Sequence, residues 1–417
     1  MTVQKNRSPH PSRPSSFAAK RIAIIGAGMA GITAARTLMQ AGHHVTVFEK
    51  SRGVGGRMST RHTEFGSFDH GAQYFTVRDA RFRQMMQWAL SNSPEIARPW
   101  GANAVRVLDN QGRTLEAALP SREPHWVAQP GMNALVGHMA EPLLAQKHML
   151  QGLQVRLIEC AADGRYSLLC HSPNDAAAQP QSVGGFDSVL LAIPSVQAQV
   201  LLQESASAAR GLKTPIVKTL SKSEQSRQVL YRAMADFSQK ISSVSVSPCW
   251  TLMLAFPNAL PLRPNEPLRT LGPQWSAARS THHRIAWLAR ESSKPARGGI
   301  ERWTVQASAA WSQEHLEDHA ERAQAKLLRA FAEITNIRAI PAHAQVHRWR
   351  YAKTDKPLGV SHLWDASTRI GVCGDWCIGH RVEDAFVSGL ELALAVWLWL
   401  AVAQKVAPCN VTATGQP

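Results

Sequence analysis

The sequence has fewer acids than bases, few cysteines, and no uninterrupted apolar run long enough to cross a membrane. Asp and Glu number 30 against 46 Lys and Arg, which gives a formal net charge of +16. This excess favours anionic ligands or surfaces. The six cysteines form no CxxC pair, and no Cys or His pair has metal-ligand spacing, so no metal site is predicted. We expect the thiols to be reduced, and the first twenty residues lack the apolar core of a secretory signal. Both features predict a cytoplasmic protein.

The most apolar segment is Leu390–Ala403, which is interrupted by Glu391 and is shorter than the roughly 20 residues of a spanning helix. It predicts a buried helix and no membrane span. With 417 residues, 44% of them hydrophobic and 18% charged, the chain is long and apolar enough for two folded domains, which excludes a wholly disordered or fibrous protein. Residues 1–20 read as a basic tail, and the basic segment Ala206–Gln228 as a loop or helical insertion.

The first ordered unit has the pattern of a β-α-β nucleotide-binding fold. A strand at Arg21–Ile25 leads into GAGMAG, a helix follows at Ile32–Ala41, and a second strand ends at Glu49. Gly26 permits the tight turn, Gly28 admits a pyrophosphate, and Gly31 lets helix and strand approach. Glu49 can accept the hydroxyls of an adenosine ribose. The sequence therefore predicts a dinucleotide site.

Two further motifs indicate which dinucleotide is bound. The segment Lys50-Ser51-Arg52-Gly53-Val54-Gly55-Gly56-Arg57 places glycines between arginines beside the pyrophosphate. It resembles the R-x-x-G-G-R motif of flavoproteins in the amine oxidase and glutathione-reductase-like superfamily. Near the C-terminus, a strand at Arg369–Cys373 leads into Gly374-Asp375-Trp376 and a last helix. A G-D motif in that superfamily holds FAD through its Asp, so FAD is favoured over NAD.

The middle of the chain has the patterns of both strands and helices. We expect a hairpin of Leu150–Glu159 and Tyr166–His171, a polar loop at Ser172–Gly185, and a buried strand at Phe186–Ile193. Further strands are predicted at Trp250–Phe256 and Ile285–Ala289, and a long helix at His315–Ile334.

A closer resemblance is to renalase and the renalase-like FAD-dependent oxidoreductases of bacteria. It rests on IAIIGAGMAGITAARTL, FEKSRGVGGRMSTR, FDHGAQYFTVRD, PCWTLMLAF, HRWRYA and GDWCIGHRVEDAFVSGLELA, which span residues 22–393. The resemblance implies an α/β fold, with a Rossmann-like FAD-binding domain of the glutathione-reductase type and a second, mixed-sheet substrate domain. The boundaries expected for the FAD-binding domain are 21–100, 146–195 and 366–404, those for the substrate domain are 101–145 and 196–365, and a tail is expected at 405–417.

The resemblance also implies the activity. Such an enzyme would take a hydride from a reduced nicotinamide species, such as a dihydro-NAD(P) isomer, onto flavin N5 and pass the electrons to O2, giving H2O2. An alternative is a flavin amine oxidase acting on a small amine. The expected FAD contacts are Gly26, Gly28, Gly31, Glu49, Lys50, Arg52, Gly56, Arg57, Val155, Asp375 and Val382.

Catalytic and substrate residues are predicted less directly. The segment Asp69–Phe75 is expected along the flavin ring, which makes His70 and Gln73 catalytic candidates, with Lys294 as a third. The substrate candidates are Tyr74, Trp250, Trp349, Arg350 and Tyr351. A function of another class is a non-catalytic flavin fold whose basic surface binds a polyanion. No nucleic-acid-binding motif is present, so no specific nucleic-acid partner is expected.

Overall fold

The structure is a computed structural model that describes residues 18–101, 105–116, 123–173, 175, 177–211, 222–257, 272–273 and 275–406. Its first layer is a six-stranded sheet, in the spatial order β19 (Leu363–Asp365), β20 (Ile370–Val372), β13 (Ser188–Leu191), β1 (Arg21–Ile25), β2 (His44–Glu49) and β9 (Met149–Gln151). All neighbours run parallel except β19, which is antiparallel to β20.

Helices cover both faces of this sheet. Ile22 and Ile24 of β1 face one apolar cluster, whereas Ala23 and Ile25 face another, as the two-residue period of a strand requires. The helices packed on the first face are α1 (Met29–Gln40), α2 (Ala80–Asn92), α3 (Asn133–Ala145) and α9 (Val382–Val406). Those on the second are α4 (Ser195–Gly211), α5 (Lys222–Ile241) and α8 (Asp375–Ile378). This burial explains the unbroken β-branched and aliphatic runs of β1 and β13.

The second large sheet has seven strands and is mostly antiparallel. Its spatial order is β18 (His343–Lys356), β14 (Ser245–Phe256), β17 (Glu301–Ala307), β16 (Ile285–Arg290), β15 (Ala277–Ser280), β6 (Arg106–Leu108) and β7 (Thr114–Glu116). One face packs against α6 (Ala309–Glu314) and α7 (Ala320–Thr335). The opposite face, here called the site face, is turned toward the segment after β4.

Smaller elements complete the described fold. A three-stranded sheet contains β10 (Gln154–Cys160), β11 (Tyr166–His171) and β12 (Gln181–Phe186). Two antiparallel ribbons pair β3 (Thr60–Thr63) with β4 (Gly66–Asp69), and β5 (Ala97–Trp100) with β8 (His125–Ala128). The predicted fold class, a Rossmann-like domain joined to a mixed-sheet domain, is confirmed.

Several local predictions differ from the structure. The segment 172–185 is not all loop, because β12 adds a third strand to the predicted hairpin. The long helix begins at Ala320, after turns from His315 onward. The domain boundaries also differ: α3 packs on α1 with the nucleotide-binding core, and α4 and α5 cover the six-stranded sheet, although their segments were predicted to lie in the substrate domain. Residues 1–17, 212–221 and 407–417 lie outside the described residues, and with them most of both predicted tails and part of the basic segment.

Helix α9 is only partly buried. Leu392, Val396 and Leu400 face the core, while an apolar stripe of Leu394, Trp397, Leu398 and Val402 is exposed. The expectation of a buried helix therefore holds for one side only. Among the described residues, Val382–Val402 is the one stretch long and apolar enough to cross a membrane, and 44% of its apolar window lies inside the fold.

Four of the described cysteines are free thiols: Cys170, Cys249, Cys373 and Cys377. Burial raises the pKa of Cys249 to about 11 and that of Cys373 to about 12, so both are protonated at neutral pH. Within the described ranges, His, Cys, Asp and Glu form no group that could hold a metal ion.

Candidate cofactor and substrate site

The first glycine turn joins β1 to α1. Gly26 has φ +109°, and a Cβ added there would lie 2.5 Å from the carbonyl oxygen of Ala192. A Cβ on Gly31 would lie 1.9 Å from the carbonyl oxygen of Gly26. Gly28 is the N-cap of α1, with no side-chain cap and no acid in the first turn of the helix. No side chain therefore occupies the first N–H groups of α1, which are open to an anion.

A second glycine turn lies directly against the first. Gly55 N–H donates to the carbonyl of Ala27 at 3.0 Å, and Gly28 and Gly55 form an isolated parallel bridge. Gly56 has φ +56°, and a Cβ built on it would be 3.3 Å from Cα of Gly28. Glycine at position 56 lets the two backbones lie this close, so the predicted motifs at Gly28 and Gly56 meet in one groove.

Glu49 ends β2 beside this groove. Its Oε2 accepts from Ala27 N–H and its Oε1 from Ser51 N–H, both at 2.8 Å, and the residue is 8% exposed. Each carboxylate oxygen can accept a further hydrogen bond, so the side chain is fixed and still able to bind a ribose. Lys50 and Arg52 follow it on the exposed turn.

Arg57 and Asp375 connect the two ends of the chain. The guanidinium binds both carboxylate oxygens of Asp375, with Nη1 to Oδ2 at 2.9 Å. Asp375 is the first residue of α8, is 6% exposed, and follows Gly374, whose N–H donates to Ser388 Oγ. The predicted N-terminal and C-terminal motifs thus form one charged pair at the mouth of the glycine groove.

The remaining predicted cofactor contacts lie on neighbouring elements. Val382 is the first residue of α9, whose N-terminal end follows the turn after α8. Val155 lies on β10, which begins just after Leu153, whose N–H donates to the carbonyl of Glu49 at 3.0 Å. The side chain of Val155 packs in the core, so only its main chain is placed to serve a ligand.

The segment from His70 to Phe75 runs between the Arg57 turn and the site face. Ala72 N–H donates to the carbonyl of Arg57 at 2.8 Å, and a Cβ on Gly71 would lie 2.0 Å from that oxygen. From the site face, Gln306 Nε2 donates to the carbonyl of Gly71 and Trp349 Nε1 to that of His70, both at 2.8 Å. Glycine at position 71 is what lets the segment lie this close to the cofactor groove.

A buried cluster of four charges anchors the start of this segment. Lys294 Nζ lies 2.9 Å from Asp69 Oδ2 and 2.8 Å from Glu291 Oε1. Arg297 binds the same two carboxylates, and all four side chains are at most 1% exposed. Burial alone would raise the pKa of Asp69, but Lys294 and Arg297 outweigh it and lower the pKa to about 2. Two acidic and two basic side chains thus lie against one another in the cluster.

This arrangement changes the roles expected for two catalytic candidates. Lys294 is enclosed by carboxylates and has no exposed surface, so it is not a free base. Gln73 accepts from Lys294 Nζ at 3.3 Å and donates to the carbonyls of Asp69 and Gly71, so its amide is satisfied within the segment. Both residues hold the segment in place.

His70 lies in a compact group of aromatic rings with His347 and Trp349. The His70 ring stacks on Trp349 with centroids 5.3 Å apart and meets His347 edge-on at 4.7 Å. Burial lowers the pKa of His70 to about 3, with help from His347 and Arg61. Burial and Arg61 lower the pKa of His347 to about 4. Both imidazoles are neutral at pH 7.

These histidines give the fold a pH dependence. Their folded-state pKa values lie below the ordinary 6.5, so the unfolded chain binds protons that the folded chain does not. Stability is full above pH 6.5 and is lost as the pH falls toward 4. The free energy of unfolding, measured by urea titration, falls at pH 5. In His347→Asn this fall should be about 1–2 kcal/mol smaller than in the parent, after allowance for screening. The same change at exposed His62 should leave the profile unaltered, and a parallel profile for both variants would contradict this assignment.

Strand alternation decides which residues of β18 reach the site face. Trp349 and His347 are two residues apart and share it, whereas Arg348 and Arg350 point to the other side. Arg350 is exposed and forms an ion pair with Glu317 at 2.5 Å. Trp250 packs in the cluster under α6 and α7 and donates to the carbonyl of His315 at 3.0 Å. The structure therefore does not bring Arg350 or Trp250 to the site.

Tyr74 lies on the predicted side. It follows the segment and packs against His125, with centroids 4.0 Å apart, and against Trp287 of the site face at 5.8 Å. Tyr351 is half-buried, but it lies in the register shift of β18 between Trp349 and Lys353, so strand alternation does not place it on the site face. Tyr74 and Trp349 give the site an aromatic lining.

Sequence reasoning missed the partners that organise the site. These are Asp69, Glu291, Arg297, Gln306 and His347. A partial signal existed, because Glu291 and Arg297 flank Lys294 at three residues on either side. Asp69 and Gln306 carry no local pattern that pairs them with anything.

Comparison with known proteins supports the domain assignment. The family model of the NAD(P)-binding Rossmann-like domain matches residues 24–88. A stretch of 58 residues is 47% identical to 4,4'-diapophytoene desaturase (4,4'-diaponeurosporene-forming) of Staphylococcus haemolyticus (strain JCSC1435), covering 14% of this chain and 12% of that protein. An L-amino-acid oxidase of Pseudechis australis is 44% identical over 64 residues, which cover 15% of this chain and 11% of the oxidase. The similarity thus spans only about one eighth of these relatives.

Solved structures match nearly the whole fold. Cyclohexylamine oxidase from Brevibacterium oxydans IH-35A superposes with a TM-score of 0.62 at 13% identity, covering 92% of this chain and 100% of that one. Wild-type putrescine oxidase bound to putrescine gives a TM-score of 0.57 at 11% identity, with coverages of 91% and 99%. At such low identity the likeness establishes the fold alone.

Proposed function

We propose that the protein is an FAD-dependent oxidoreductase that oxidises a small molecule and passes the electrons to O2. The observation that carries the proposal is the joining of the two glycine turns, Glu49 and the Arg57–Asp375 pair into one groove. An adenosine end fits Glu49, and a pyrophosphate fits the open N–H groups at Gly28. The likeness in fold to two amine oxidases supports the same class.

The groove passes a steric test for a dinucleotide. A Cβ at Gly28 would meet nothing closer than Cα of Gly56 at 4.0 Å, so glycine is not needed there for folding. Its absence of a side chain instead keeps space open at the helix N-terminus. When bound, FAD supplies a hydride acceptor at flavin N5 and, once reduced, can be reoxidised by O2 to give H2O2. Arg57 and Asp375 would hold the part of the cofactor between the two glycine turns and the segment after Asp69.

We further propose that the donor is a reduced nicotinamide species, such as a dihydro-NAD(P) isomer. A dihydropyridine that loses hydride becomes an aromatic cation and needs no protein base. This suits a site in which Lys294 and Gln73 are engaged and His70 is a neutral imidazole. The remaining task is positioning, for which Trp349 is fixed by its hydrogen bond to the carbonyl of His70.

A small amine is the second candidate substrate, favoured by the fold likeness to cyclohexylamine oxidase and putrescine oxidase. The nearby carboxylates Asp69 and Glu291 are occupied by Lys294 and Arg297, so neither is free to bind an ammonium group. An amine would have to reach the aromatic lining in its neutral form.

The test is anaerobic stopped-flow spectroscopy of the FAD-loaded protein. We expect rapid bleaching of the flavin band by a dihydro-NAD(P) isomer mixture, slower bleaching by NADH or NADPH themselves, and none by cyclohexylamine or putrescine. Admitting O2 should restore the band with release of about one H2O2 per flavin. Arg350→Ala serves as the control variant, since its exposed pair with Glu317 lies on the far side of β18, and its rate should equal that of the parent.

Other outcomes would change the proposed function. Bleaching of the flavin band by an amine alone would indicate an amine oxidase. A protein that purifies colourless and cannot be loaded with FAD would overturn both substrates and favour a non-catalytic fold that binds a polyanion, in line with the net charge of +16.

A further inference from the structure

Arg61 lies at the edge of the site face, in the hairpin that precedes the His70 segment. It stands directly opposite Phe68 across β3 and β4, and the Phe68 ring stacks on His343 with centroids 5.5 Å apart. Arg61 Nη1 donates to Gln345 Oε1 at 3.3 Å. His343, Gln345 and His347 alternate along one face of β18, so the guanidinium lies over the histidine side of the strand.

The charge of Arg61 is not balanced by the protein. Within the described residues no carboxylate lies within ion-pair distance of its guanidinium, and the long contact to Gln345 is its one hydrogen bond. Other arginines of the site are paired: Arg57 with Asp375, and Arg297 with Asp69 and Glu291. Glu64, the nearest acid along the hairpin, is exposed and acts on His343 without pairing with Arg61. A half-buried guanidinium with most of its five donors free is well suited to bind an anion.

One imidazole atom beside Arg61 also lacks a partner. Nε2 of His343 is buried and makes no hydrogen bond within the described residues. Burial, reinforced by Arg61, lowers the pKa of this ring and of the rings of His70 and His347, so all three are neutral at pH 7 and the positive charge of the group belongs to Arg61. Buried polar atoms in native proteins are almost always satisfied, which points to a ligand that supplies the missing acceptor.

We propose that Arg61 and His343 bind the anionic group of a ligand, a phosphate or a carboxylate, on this side of β18. The guanidinium can hold two anionic oxygens at once, and a neutral imidazole can donate one N–H. An ammonium group is repelled at the same place. Assigning the anion to the oxidised substrate rests on the proposed function, whereas the anion site itself does not.

The experiment is calorimetric titration of the FAD-loaded protein with inorganic phosphate, and in parallel with acetate, at low ionic strength. Three variants are compared with the parent: Arg61→Leu, Arg61→Lys and Arg156→Leu. We expect phosphate affinity to fall about tenfold or more in Arg61→Leu, because a charge-assisted contact is lost. Arg61→Lys should lose less. Arg156 is an exposed arginine on β10, and its removal controls for the change in net charge.

A second variant protects the test from a folding defect. His343→Phe keeps a ring stacked on Phe68 but removes the unpartnered nitrogen, and phosphate binding should weaken severalfold with the flavin spectrum unchanged. The proposal is overturned if the parent binds neither phosphate nor acetate, or if Arg61→Leu and Arg156→Leu lose the same affinity.

Kinetics then assign the source of the anion. If phosphate raises the KM of the hydride donor without changing kcat, and Arg61→Leu abolishes that effect, the anion belongs to the substrate. If phosphate binds through Arg61 without competing with the hydride donor, the site serves a separate anionic ligand. Either result supports the anion site. Arg61-dependent phosphate binding in a protein that no donor reduces would show that the proposed function fails while the anion site stands.

Discussion

Lys294→Met is expected to lower the free energy of unfolding by about 3–5 kcal/mol, because it leaves two buried carboxylates with one cation between them. Lys294 contacts Asp69 and Glu291 at 2.9 and 2.8 Å, and all three side chains have no solvent exposure. Water cannot enter to compensate the lost charge. The measurement is urea unfolding of the FAD-loaded protein at pH 7, followed by far-ultraviolet circular dichroism.

A matched control separates this effect from the general loss of an ion pair. Lys240 pairs with Asp236 at 2.8 Å, but both side chains are more than half exposed. Lys240→Met should therefore cost less than about 1 kcal/mol. A double variant, Glu291→Gln with Lys294→Met, restores the charge balance and should recover at least part of the stability. Equal costs for the two lysines would show that the buried cluster is not what stabilises the segment after Asp69.

Gly28→Ala is expected to leave the fold intact and to weaken FAD binding about 10- to 100-fold, since the new methyl group occupies the space where a pyrophosphate meets the helix N-terminus. The backbone at Gly28 is extended, and the nearest atom to an added Cβ is 4.0 Å away. The flavin content after purification and titration of the apoprotein with FAD measure the effect. Thermal unfolding of the apoprotein should change little.

Substitutions at two other glycines serve as controls for Gly28→Ala. An added Cβ on Gly53 meets nothing within 4 Å, so Gly53→Ala should retain both fold and FAD. An added Cβ on Gly31 lies 1.9 Å from the carbonyl of Gly26, so Gly31→Ala should damage the fold itself. If Gly28→Ala binds FAD as tightly as Gly53→Ala does, the glycine groove is not the cofactor site.

The local motifs were readable because their chemistry is contained in a short stretch of chain. The strand, glycine turn and helix from Arg21 to Gln40 follow from β-branched residues, glycines and helical periodicity that are adjacent in sequence. Glu49 at the end of β2 and Asp375 after β20 were found in the same way. Each motif needs only its own neighbours to form.

The substrate candidates show where such reasoning stops. Trp349 and Arg350 are adjacent in an apparent motif, yet alternation along β18 sends their side chains to opposite faces. Which face is the site face depends on α6 and α7, which cover the other one. The sequence made Lys294 a catalytic candidate, but in the fold its side chain is enclosed by Asp69 and Glu291.

The sequence by itself determined the Rossmann-like unit, the candidate cofactor residues near each end of the chain, and the mixed-sheet character of the rest of the fold. These depend on backbone conformation and periodicity, which act over a few residues. Only the tertiary structure decided that Arg57 meets Asp375, that four buried charges neutralise one another behind the His70 segment, and that Arg61 has no counter-ion within the part of the chain that the structure describes. Electrostatic energy depends on distance in space, and residues hundreds of positions apart become neighbours only when the chain folds.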